Sequence, residues 1–109
     1  PTYWSSIPMV SLEEGIRCQH VGQAPFHHIK PIWCMPAAGT YPGLTPILMA
    51  EYGNDMIIPS GGGMLGHPDG YTAGAKAWQQ AIAAAMAGAD IIEFAKKPEN
   101  RELRRAIEK

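Results

Sequence analysis

The chain has 109 residues, 46% of them hydrophobic and 17% charged, a balance that excludes disorder as the main state and suits one small globular domain. A formal net charge of −1 leaves no global field to draw nucleic acid or an anionic membrane, so any anion site has to be local. No apolar stretch reaches the roughly 20 residues needed to cross a bilayer, and "PTYWSSIP" at the start lacks a basic region followed by an apolar core, so a cytoplasmic protein without nucleic-acid or membrane partners is expected.

Cys18 and Cys34 have neither metal-motif spacing nor the density of a disulfide scaffold, and are expected to be reduced structural thiols, with redox chemistry the weaker alternative. The chain starts at Pro1 and "RELRRAIEK" stops inside a helical pattern, so both ends look cut and a longer polypeptide is expected.

Ser11 and Glu14 stand at capping-box spacing, while Gly15, Gly22 and Pro25 are expected to limit any helix there to short pieces. Residues 29–36, "IKPIWCMP", form a short apolar run suited to a strand buried on both faces. "TYPGLTPILMAEYGND" reads as a helix capped by Thr45, with Pro46 at the first helical position and Gly53 closing it.

The order then repeats. Residues 55–60, "DMIIPS", are a second strand-like run, followed by "GGGMLGHPDG" and an Ala-rich helix in which Trp78, Ile82 and Met86, at steps of four, are expected to face the core; Gly88 ends it. "IIEFAKK" is a helical segment stopped by Pro98, and a last helix carries Leu103 and Ile107 on one face. A strand, loop and helix occurring twice imply parallel strands with right-handed crossovers, hence an α/β architecture that needs neighbours on its open edges.

Ligands of parallel α/β folds sit at the C-terminal tips of the strands. Here both tips carry glycine, "AAG" at residues 37–39 and "SGGG" at 60–63. Bare backbone N–H groups there can converge on a phosphate; the alternative is a tight turn that lets helix and strand pack closely. Neither GxGxxG nor GxxxxGK[ST] is present, against dinucleotide and nucleoside-triphosphate folds.

His67 in "GHPDG" is expected to order the loop through backbone hydrogen bonds, and adjacent His27 and His28 lack metal-ligand spacing. Asp55 and Asp69 suit turns or caps, and Lys76 a solvated surface. No nucleophile and base can be paired, so neither catalytic nor metal-binding residues are assigned within the chain.

"GGGMLGHPDGYTAGAKAWQQAI" resembles the last barrel strand, loop and helix of the RuBisCO large-subunit superfamily, with its "GGG…GHP.G…AGA.A.RQA" pattern. "HHIKPIWCMPAAGTYPG" is similar to the preceding strand and loop, and "EFAKKPENRELRRAIEK" to the family's terminal helices, so that the likeness runs over about residues 26–109.

The resemblance implies that residues 1–109 are the C-terminal segment of a TIM (β/α)8 barrel domain, about its last two βα units plus terminal helices. It further implies that Gly61 and Gly62 are a phosphate-binding pair, that Gly39 contacts the same phosphate, and that Ala37, Ala38 and Gly63 lie beside the substrate. Ala37 stands where carboxylating members have serine, and Tyr41 where many have histidine. Those departures favour a RuBisCO-like enolase, isomerase or decarboxylase acting on a phosphorylated ketose through a Mg²⁺-stabilised enediolate, with the metal ligands upstream of this segment and a homodimer or higher homo-oligomer as the assembly. A true ribulose-bisphosphate carboxylase segment is the second reading. A small α/β protein-interaction domain whose glycines only make turns is the third.

Overall fold

The computed structural model describes residues 11–37 and 39–108, and its regular structure is helical. α1 spans Leu12–Gln23, and its capping box forms as the sequence implies: the Ser11 hydroxyl accepts from the Glu14 N–H, and the Glu14 carboxylate accepts from the Ser11 N–H. The helix is not in short pieces. It runs through buried Gly15 to Gln23 because the cap and the packing of its inner face outweigh a glycine penalty of about 1 kcal/mol.

A 3₁₀ turn at Pro42–Leu44 leads into α2, Thr45–Tyr52. Thr45 is the first residue of that helix rather than its cap, and its buried hydroxyl donates to the Pro42 carbonyl at 2.7 Å. Gly53 closes α2 at φ +73°, a conformation that side chains resist. Leu44, Leu48 and Tyr52 form one buried cluster, against which Cys34 and Met56 pack.

The two strand-like runs meet in register but do not become strands. Cys34 and Met56 make a single parallel bridge, with the Ile57 N–H donating to the Cys34 carbonyl at 3.0 Å. Pro31, Pro36 and Pro59 have no N–H to add to a ladder, and a parallel pair is stable only between further strands. The expected parallel direction is thus present at one point, without a sheet around it.

α3 (Gly62–Leu65) is a single turn, and α4 (Tyr71–Met86) is the longest helix. The core face of α4 differs from the expected stripe: Trp78 is 5% exposed, but Ile82 is 40% and Met86 60% exposed. Steps of four advance 40° per step around a helix, and Met86 has swung to the outer side. The buried stripe is instead Gly74, Ala77, Trp78, Ala81 and Ala84, small residues that let α4 approach its neighbours closely. A Cβ on Gly74 would stand 2.1 Å from the Met64 carbonyl oxygen of α3.

α5 (Ile91–Ala95) is capped by Asp90, whose carboxylate accepts from the N–H groups of Ile92 and Glu93, and a 3₁₀ turn at Pro98–Asn100 feeds α6, Arg101–Glu108. Leu103 is fully buried, with Ile107 on the same face, and the two join Ala81, Ala95, Ile91 and Phe94 in a second cluster. No helix among the described residues is long and apolar enough to cross a membrane.

Candidate functional site

The two glycine loops come together. At the first, Gly39 adopts φ +75°, and the buried Thr40 donates its hydroxyl to the Pro59 carbonyl at 3.3 Å, tying this loop to the segment that enters the second. Gly63 makes the contact as close as it is: a Cβ there would lie 2.3 Å from the Thr40 carbonyl oxygen and 2.8 Å from the Tyr41 Cα.

Gly61 and Gly62 behave differently from Gly63. Nothing lies within 4 Å of the position a Cβ would take on either. Their carbonyls are used, Gly61 accepting from Met64 and Leu65 at 3.0 Å and Gly62 from Gly66 at 2.9 Å. The N–H groups of Gly61, Gly62 and Gly63 have no acceptor among the described residues. Together they form the first donors of a short helical turn, where partial positive charge gathers.

A cavity of about 710 Å³ lies against both loops, with Gly39, Thr40, Tyr41 and Pro42 from the first and Gly62, Gly63, Gly66, His67 and Pro68 from the second. Ala106 and Ile107 of α6 complete its wall. The structure therefore brings Gly39, Gly62 and Gly63 to one hollow. Gly61 and Ala37 are outside its wall, and Ala38 lies outside the described residues. Among the described residues no Lys or Arg lines it, so an anion held there would depend on backbone donors.

His67 is buried and does the ordering work expected of it. Its Nδ1 accepts from the Asp69 N–H at 3.0 Å, which leaves Nε2 to carry the proton and donate to the Glu102 carbonyl at 2.9 Å. Asp69 pairs with Arg105 at 3.5 Å, and Lys76 stands 4.0 Å from Glu102. These contacts fasten the second glycine loop to α6 and so bring Ala106 and Ile107 to the cavity. Sequence reasoning placed Ile107 on an apolar face but had no signal for where that face would fold. Among the described residues, no group of three or more His, Cys, Asp or Glu could hold a metal ion.

Comparison with known proteins gives a consistent picture. The family model "Ribulose bisphosphate carboxylase large chain, catalytic domain" matches residues 8–109. A ribulose bisphosphate carboxylase of Pyrococcus abyssi is 45% identical over 84 residues, 77% of this chain and 19% of that protein. A ribulose bisphosphate carboxylase-like protein of Archaeoglobus fulgidus is 38% identical over 109 residues, 99% of this chain and 25% of its own length. A 2,3-diketo-5-methylthiopentyl-1-phosphate enolase of Geobacillus thermodenitrificans is 44% identical over 87 residues, 80% of this chain and 20% of the enzyme.

Among solved structures, a rubisco-like protein from Alicyclobacillus acidocaldarius superimposes with a TM-score of 0.86 at 37% identity, covering 100% of this chain and 26% of that one. An octameric ribulose-1,5-bisphosphate carboxylase/oxygenase from Pyrococcus horikoshii, crystallised with sulfate ion, gives 0.83 at 38% identity, covering 95% of this chain and 24% of that one. The chain thus spans between 19% and 26% of the length of each of these relatives.

Proposed function

The chain belongs to the family of the ribulose bisphosphate carboxylase large-chain catalytic domain and has the barrel-family fold of its structural neighbours, and from that premise we propose that it is the phosphate-holding C-terminal segment of a RuBisCO-like enzyme. The observation that carries this reading is the pair Gly61 and Gly62. Their amides have no acceptor among the described residues, their Cβ positions are empty, and Gly62 shares a cavity with Gly39 on the neighbouring loop. Two or three backbone N–H groups fixed before the ligand arrives favour a dianion without reorganisation.

The substrate class is a phosphorylated ketose, and the reaction is of the enolase, isomerase or decarboxylase type. Support comes from the enolase relative, whose name specifies a diketo phosphate, and from Ala37, which has no hydroxyl to offer where carboxylating members of the family resemble one another in serine. A magnesium ion, when bound, would supply Lewis-acid stabilisation of an enediolate. No cluster among the described residues fits that role, and we assign its ligands to the larger part of the protein. What these residues do is hold one end of the substrate. Fixing the phosphate places the carbon skeleton for reaction elsewhere, which lowers the barrier through orientation. Assembly as a homo-oligomer belongs to the same proposal, supported by the octameric neighbour.

Calorimetric titration of the full-length protein with inorganic phosphate and with a phosphorylated ketose tests this. Gly62→Val should weaken phosphate at least about 10-fold by placing methyl groups over the amides, a loss of about 1.4 kcal/mol. Unchanged affinity in a folded variant would refute the cradle. A second reading, carboxylation of ribulose bisphosphate, is favoured by the carboxylase relative from Pyrococcus abyssi. Incorporation of labelled CO₂ into acid-stable product separates the two.

A further inference from the structure

Among the described residues, three side chains in the wall of the glycine-loop cavity carry polar groups, those of Thr40, Tyr41 and His67. Two of the three are committed to the fold. The Thr40 hydroxyl donates to the Pro59 carbonyl at 3.3 Å, and the His67 ring holds the Asp69 N–H at 3.0 Å and the Glu102 carbonyl at 2.9 Å. The Tyr41 carbonyl accepts from the Leu44 N–H at 3.0 Å, but its phenol has no hydrogen-bond partner among the described residues.

Tyr41 is held from two sides. A Cβ on Gly63 would stand 2.8 Å from the Tyr41 Cα, so the second glycine loop fixes its backbone. A Cβ on Gly43 would stand 2.9 Å from Cε2 and 3.3 Å from Cδ2 of the ring, and 3.9 Å from Cγ1 of Ile107. One edge of the ring therefore lies against the bare backbone of Gly43, with α6 beside it. The residue is nonetheless 43% exposed. A ring pinned along one edge, carrying an unused O–H at the wall of a cavity, is a donor fixed before any ligand arrives.

We propose that Tyr41 is a ligand-contacting residue of this cavity, its phenol O–H donating to an oxygen of the bound phosphoryl group beside the glycine amides. The inference deepens the phosphate reading and rests on it. A phosphate dianion has more lone pairs than two or three amides can fill, and no Lys or Arg among the described residues lines the cavity to meet the remainder. With Thr40 and His67 already engaged, the phenol is the side-chain donor left to do so. It also selects: a hydrogen bond from a neutral O–H to an anionic oxygen favours a phosphoryl group over an uncharged ligand end of similar size.

The experiment is calorimetric titration of the full-length protein with inorganic phosphate, comparing wild type, Tyr41→Phe and Gly62→Val. Tyr41→Phe keeps the ring and its packing on Gly43, and should weaken phosphate at least about 10-fold. Direct contact is read separately, from ¹⁹F NMR of full-length protein carrying 3-fluorotyrosine at position 41 alone. That resonance should move as phosphate saturates the site, and should stay in place at the same phosphate concentration when Gly62→Val is added. This readout stands even if Tyr41→Phe fails to fold. Wild-type affinity in Tyr41→Phe beside a loss in Gly62→Val would overturn the role of Tyr41 and leave the cradle standing. A resonance that ignores phosphate would do the same, by assigning any loss in Tyr41→Phe to packing. Wild-type affinity in both variants would remove the cradle and this inference with it.

Discussion

Gly61, Gly62 and Gly63 are the same residue three times, yet the space around them differs. Gly63 is a packing glycine: a Cβ there would stand 2.3 Å from the Thr40 carbonyl oxygen, so its absence is what lets the two loops approach. Gly63→Ala should push the loops apart and cost about 1–3 kcal/mol, as overpacking does elsewhere. Thermal unfolding measures that loss, and a wild-type melting temperature would contradict the assigned clash. The Cβ position of Gly62 has nothing within 4 Å and its φ is outside the left-handed region, so Gly62→Val should leave the melting temperature within about 2–4 °C of wild type while weakening phosphate binding. Nothing in the letters "GGG" distinguishes the positions. The close-packing reading of the run holds at Gly63, and the anion cradle is what we propose for Gly61 and Gly62.

At the scale of elements, α6 reaches the cavity through its attachments to α4 and the second loop. Gln80 of α4 serves as its external cap: Oε1 accepts from the Leu103 N–H at 2.8 Å, while Nε2 donates to the Glu102 carboxylate at 2.8 Å. The Gln80 side chain is the main reason the Glu102 carboxyl lies below the ordinary carboxylate range, followed by the backbone N–H of Glu102 itself, with smaller help from Lys76 and Arg101. A carboxyl depressed in the folded state stabilises it when ionised. That contribution is complete above the unfolded carboxylate pKa and fades as pH falls through the lower folded value. Gln80→Ala should therefore lower stability at neutral pH by about 0.5–2 kcal/mol, the range for a lost cap. It should also flatten the acid limb of the stability curve, a change that Glu102→Gln reproduces. Denaturant midpoints measured between about pH 3 and 7 check both, and an acid limb unchanged in either variant would remove Glu102 from the account. The helix boundaries behind this arrangement were legible, because Pro98, Gly53 and Ser11 are local signals read within a turn. Gln80 was not, since its partner is 23 residues away and polar side chains on an Ala-rich helix look alike.

For the whole molecule, one group of the apolar residues that the structure leaves exposed lies where the sequence placed its strands. Ile29, Ile32, Trp33 and Met35 of the first run and Ile57 of the second are all more than half exposed, with Phe26 beside them. The radius of gyration is 14.6 Å, above the roughly 13 Å of a compact chain this long. The α/β class was legible in the repeated strand–loop–helix order, but a sheet is a property of several strands, and one parallel bridge is what two proline-bearing runs make by themselves. The relatives are about four to five times longer than the matched segment, and the proposed barrel would set further strands against these faces. The 109-residue chain expressed alone should therefore bind a hydrophobic dye such as anilinonaphthalene sulfonate and unfold over a broad transition, whereas the full-length protein should leave the dye dark and unfold sharply. Trp33 supplies a second probe: iodide should quench its fluorescence in the isolated chain and lose most of that access in the complete protein. A dye-silent, cooperatively melting 109-residue chain would mean that Trp33 and its neighbours need no barrel to cover them.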